Sequence, residues 1–155
     1  MSRSIYLTHD YAYSAGRVWS VVIDLDRLKE VMAGLITFRN LPSGPIRQGQ
    51  DLKVEVSLFG LFPYQPYEMR VEQLDPASMT FRSDERGAGV RSWRHRLQVI
   101  PTETGCTISE EIEIDAGMLT PIFAAWARYL YGRRHKRRLT ILQEIASECL
   151  RDPRA

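Results

Sequence analysis

His95 and Glu110 are the residues whose types and setting point most directly to chemistry. Each lies in a run that alternates apolar and polar positions. Trp93, His95, Leu97 and Val99 share one side of the first run, and Cys106, Ile108, Glu110, Ile112 and Ile114 share one side of the second. Period-two alternation sends each set to one face of a sheet. With a turn from Pro101 to Gly105, counting back from Val99 opposite Cys106 sets Leu97 against Ile108, His95 against Glu110 and Trp93 against Ile112. Opposed Cβ atoms lie about 4.5–5.5 Å apart, near enough for two side chains to bond each other or to share a ligand. Such a pair is an acid–base couple, because an imidazole titrates near neutrality and a carboxylate holds its tautomer. On an apolar face unpaired polar groups are costly. The pair therefore predicts a polar anchor in a lined cavity, or a self-satisfied buried bond that specifies register; the residues leave both open.

Other polar side chains join the same interior by periodicity. His9 and Tyr11 share the inward side of the first strand, where His9 reads either as a lining group or as a partly exposed strand residue bonded to a neighbour; Tyr67 and Ser83 lie on inward faces further along, and Arg138 projects from the last helix. The expected apolar walls are Val54, Val56, Met69, Val71, Phe81, Trp93, Leu97, Ile108 and Ile112. Trp93, set beside Ser83 and Ile112, is the wall best suited to stack on a flat ligand. Three histidines with no His-x-His pair, and two cysteines outside any Cys-x-x-Cys motif, argue against a zinc site. No Ser-His-Asp order, phosphate loop or dinucleotide fingerprint is present, so no cofactor and no metal are expected. Cys106 and Cys149 read as buried, reduced thiols.

The elements that must position these groups follow from the same patterns. Ile5 to Tyr13 alternates as a half-buried strand. Ser14 caps a helix over Ala15 to Ile23, and Asp24 caps a second short one through Met32. Strands then recur over Ile36 to Leu41, Asp51 to Phe59, a segment through Tyr67, Met69 and Val71, and Ser78 to Arg86. The Gly87-Ala88-Gly89 hairpin sets Phe81 opposite His95. The C-terminal helix has one apolar side of Leu119, Ile122, Phe123, Trp126 and Leu130, and a later one of Ile141, Leu142, Ile145, Ala146 and Cys149. At 3.6 residues per turn these stripes diverge by roughly a third of a turn. That divergence predicts a kink at Gly132, or two helices meeting there.

Bulk properties narrow the classes of partner. At 155 residues the chain fits one domain, residues 1–155, with one sizeable core. The net charge of +2 implies no polyanionic partner, and no nucleic acid is expected. The basic run Arg133 to Arg138 wraps around a helix instead of forming one stripe, which reads as a solvated face with Arg138 turned inward to a carboxylate. Salt bridges to the Glu111 and Glu113 face would use the same charges. The start of the chain has no apolar leader and no run approaches a membrane span, so a cytoplasmic protein, monomer or homodimer, is expected. Leu58 to Tyr64 is unusually apolar for a connection. It reads as a lid or partner surface with room for peripheral membrane contact, or as a strand extended to Leu61.

A strand, two short helices, six more antiparallel strands and a long helix is the order of the helix-grip fold. The chain resembles the START-like (SRPBCC) superfamily over nearly all of Ile5 to Leu150. The residues that carry the likeness are Arg17-Val18-Trp19 followed by Asp24, and Asp84-Glu85-Arg86-Gly87 leading to Trp93-Arg94-His95. These are similar to a bacterial ligand-binding branch in which a Gly-containing turn precedes a Trp-x-His strand and a basic helix closes the chain. Leu97 stands where a second His often follows in that branch. The resemblance implies an α+β fold, a seven-stranded antiparallel sheet curled around the last helix, enclosing an apolar cavity. It implies binding or carriage of a small hydrophobic or aromatic molecule. The alternative is a cyclase or hydratase that uses His95 and Glu110 as its acid–base pair, and a third reading is a membrane or protein-partner module.

Overall fold

The computed structural model describes residues 1–151 of the 155. Seven strands form one antiparallel sheet in the order β1-β7-β6-β5-β4-β3-β2. The strands are β1 (Arg3–Tyr11), β2 (Ile36–Arg39), β3 (Asp51–Leu58), β4 (Gln65–Asp75), β5 (Thr80–Gly87), β6 (Val90–Thr102) and β7 (Gly105–Asp115). Two short helices, α1 (Ala15–Val22) and α2 (Leu25–Met32), follow β1, and a 32-residue helix α3 (Thr120–Arg151) closes the described chain. Ser14 accepts from the Arg17 amide and Asp24 from the Asp26 amide, so each short helix starts on the cap its sequence supplies. This is the helix-grip fold, with the curled sheet holding α3.

Three local expectations are corrected. The β6–β7 turn is only Glu103-Thr104, with Thr102 paired to Gly105 and Pro101 paired to Cys106 inside the ladder. In a two-residue hairpin the closing pair exchanges the ladder bonds and the next pair does not, so the missing Pro101 amide is not needed there. The register consequently moves by two residues. Val99 pairs with Ile108, Leu97 with Glu110, His95 with Ile112, and Trp93 with Ile114. Faces are unchanged, because a shift of two preserves the alternation.

Likewise, Phe81 pairs with Leu97, and Ser83 is the residue opposite His95; Trp93 pairs with Glu85. The β5–β6 turn is tight, with Gly87 paired to Val90 and Ala88-Gly89 at its tip. Gly87 has φ +117° and its Cα faces the Pro66 carbonyl so closely that no Cβ fits.

Finally, α3 runs unbroken through Gly132. Its buried residues include Thr120, Ala124, Ala127, Tyr131, Arg134, Arg138 and Ile141, a single stripe at alternating spacings of four and three. Leu119 and Ile122, placed on the apolar side by helical spacing, are exposed. Along this stripe the small Ala124 and Ala127 precede the long Tyr131, Arg134 and Arg138. No divergence of stripes remains for a kink to resolve.

Candidate functional site

A cavity of about 150 Å³ lies between the inner face of β3–β6, the short helices and the first half of α3. Leu28 and Met32 come from α2, Val56, Val71, Phe81 and Trp93 from the sheet, and Trp126, Leu130 and Tyr131 from α3. A void of this volume, if apolar, holds one aromatic ring, and because the cavity is open to solvent on one side, the rest of a larger ligand can extend through its mouth.

One pole of the cavity is polar. Ser83 and Glu85 stand two residues apart on β5 and so share its inner face. Tyr67 on β4 pairs with Gly87 across the ladder, which brings its phenol diagonally to Glu85. The Tyr67 hydroxyl donates to Glu85 Oε2 at 2.7 Å, and Ser83 Oγ donates to Glu85 Oε1 at 2.7 Å. Burial, then the adjacent Glu85 charge, pushes the Tyr67 phenol well above its ordinary range. His95, Tyr131 and Arg134 also line the cavity, and Asp24, whose side chain caps α2, does so from the short helices. The Arg134 guanidinium lies 4.7 Å above the centroid of the Tyr131 ring, whose phenol is raised by burial against the opposing pull of that cation.

Behind this wall sits a second polar cluster. Glu110 Oε1 lies 3.2 Å from His95 Nε2 and 3.6 Å from Arg138 Nη2, with all three side chains almost wholly buried. Burial by itself would raise the Glu110 carboxyl. The Arg138 charge and the His95 bond outweigh it and hold the group at about 2. An ionised carboxylate only accepts, so His95 carries its proton on Nε2 and leaves Nδ1 as an acceptor when neutral. Arg138, which burial would lower, is raised instead by Glu110 and Tyr11. Next to this cluster the Tyr11 hydroxyl is 2.8 Å from His135 Nδ1, and the His9 and His135 rings stack at 4.3 Å. Burial lowers both imidazoles.

Of the residues named from sequence, Val56, Tyr67, Met69, Val71, Phe81, Ser83, Trp93 and His95 line the cavity. Leu97, Ile108 and Ile112 are packed in the main core cluster, and Val54 in a smaller one with Leu25, Leu41 and Leu52. His9, Tyr11, Glu110 and Arg138 belong to the polar cluster behind the wall. Sequence reasoning passed over Glu85 and Arg134 as cavity residues. Glu85 was legible from its shared parity with Ser83, and Arg134 from its position one turn before Arg138.

The remaining charges and connections are also placed. Glu113 pairs with Arg94 and Glu111 accepts from Tyr6, so the acidic face of β7 uses its sheet neighbours and not the basic run. Strand β3 stops at Leu58, and Phe59 meets Trp126 edge-on at 5.4 Å, beside the cavity. Leu61 and Phe62 are exposed. Cys106 is buried, and Cys149, contrary to expectation, is exposed near the end of α3. Among the described residues no helix is long and apolar enough to cross a membrane.

Solved structures share this architecture. The fold matches norcoclaurine synthase from Thalictrum flavum (16% identity, 93% of this chain and 88% of that one, TM-score 0.69). It also matches the Zhui aromatase/cyclase from Streptomyces sp. R1128 (17% identity, 100% and 99%, TM-score 0.65). A START superfamily protein from Mycobacterium smegmatis matches as well (12% identity, 93% and 98%, TM-score 0.66). The curled sheet gripping one long helix is thus a START-like, SRPBCC-type fold. No curated protein matches the chain. Residues 12–141 match the family described as Domain of unknown function (DUF8410), and the chain belongs to that family.

Proposed function

We propose that this protein binds and carries a small hydrophobic, ring-bearing molecule in the cavity between the sheet and α3. The observation that carries the reading is an apolar chamber with polar groups gathered at one pole. Apolar walls supply affinity and a few convergent polar groups fix orientation. Its structural relatives lend support: the norcoclaurine synthase structure holds dopamine and hydroxybenzaldehyde, and the Streptomyces protein is an aromatase/cyclase. The turn at Phe59 to Phe62 beside Trp126 offers a way in.

The test is titration with the neutral fluorophore N-phenyl-1-naphthylamine, which brightens in apolar surroundings. Wild type binds saturably, and Val71→Phe, which fills the chamber, abolishes binding while melting like wild type. Equal binding by both proteins would place the dye elsewhere and defeat the proposal.

One observation favours an enzymatic second reading. His95 lines the cavity while the buried, ionised Glu110 fixes its tautomer from behind, which is the arrangement of an oriented proton carrier. In that reading His95→Gln abolishes turnover of a polyketide-like substrate and leaves dye binding intact. Full turnover by the variant rules it out.

A further inference from the structure

Arg134 is 9% exposed, lines the cavity, and leaves its Nε without a hydrogen-bond partner. Among the described residues no carboxylate lies within ion-pair distance of it: Glu110 feels its charge but pairs with Arg138, one turn later. Its own helix offers no carboxylate between Thr120 and Gln143. The cavity's Glu85 receives bonds from Tyr67 and Ser83. Among the described residues its one aromatic support is the face of Tyr131. A buried guanidinium held this way is costly unless something supplies acceptors, and its fork suits two adjacent oxygens of one group.

We infer that the cavity selects an amphipathic monoanion, an aromatic body carrying a carboxylate or similar oxyanion that docks on Arg134. The ring takes the apolar chamber beside Phe81 and Trp93, and the oxyanion accepts from the Arg134 guanidinium, which has no hydrogen-bonded acceptor among the described residues. This inference rests on the binding reading above and names the chemical class of its ligand.

The matched probes are trans-cinnamate and trans-cinnamamide, equal in skeleton and different in charge, titrated by NMR at neutral pH. Wild type prefers cinnamate by about tenfold or more, the range expected of a charge-assisted pair. Arg134→Met removes that preference, lowering the affinity for cinnamate by about tenfold more than the affinity for cinnamamide. Arg134→Lys keeps the charge without the fork and retains part of the preference, which guards against misfolding of the Met variant as the cause. Equal binding of the two probes by wild type, or a preference undiminished in Arg134→Met, overturns the inference and leaves the binding reading standing. Failure of cinnamate where N-phenyl-1-naphthylamine still binds does the same. Failure of all three compounds to bind overturns the binding reading and this inference together.

Discussion

Glu110 bonds His95 across β6 and β7 at 3.2 Å although its partner in the ladder is Leu97. The bond is diagonal, spanning two positions of register, and both side chains keep the inward face. Arg138 reaches the same Glu110 oxygen from α3 at 3.6 Å, so a single carboxylate ties the sheet to the helix that it grips.

Removing that carboxylate is expected to be expensive. Glu110→Gln leaves Arg138 as a buried charge without a counter-ion, a change that typically costs about 3–5 kcal/mol. Urea denaturation measures it. A loss below about 1 kcal/mol would mean that the cluster contributes little to stability.

Acid should weaken the fold in two stages. His9 and His135 are held below the ordinary 6.5, so the unfolded chain protonates first as pH falls, and stability begins to drop below 6.5. Glu110, held at about 2 against 4.5, likewise takes its proton first in the unfolded chain. Its contribution is complete above 4.5 and disappears as pH falls through about 2. Melting temperature against pH shows both stages. In the double variant His9→Gln, His135→Phe the stage just below 6.5 flattens while the lower one remains. An unchanged upper stage would assign it to other groups.

Gly87→Ala places a methyl group against the Pro66 carbonyl in a backbone conformation that side chains rarely adopt. The end of β5 must then move, carrying Glu85 with it. Loss of about 2 kcal/mol or more is expected, together with weaker dye binding. A variant as stable as wild type would show that this turn has room to relax.

Phe59 is half-exposed and packs edge-on against Trp126 beside the cavity. Phe59→Ala should therefore speed dissociation of N-phenyl-1-naphthylamine several-fold in stopped-flow measurements, at a stability cost below about 1.5 kcal/mol. Unchanged dissociation would move the entrance away from this turn.

Much of the architecture was legible before any coordinates, because alternation, capping residues and glycine turns are local signals. Ser14 and Asp24 start their helices, and the inward parity of Trp93, His95 and Glu110 follows from counting by twos. Register escaped that counting, since a slip of two residues leaves every face as it was, and Pro101 was given the turn when it sits within the ladder. The inner side of α3 escaped as well. Leu119 and Ile122 outweigh Ala124, Ala127 and Arg134 on any apolar ranking, yet the latter three face the interior. Local sequence determined which residues share a face. Tertiary packing decided where that face is filled and where it stays hollow, because the closeness of helix and sheet depends on the sizes of side chains brought together from distant parts of the chain.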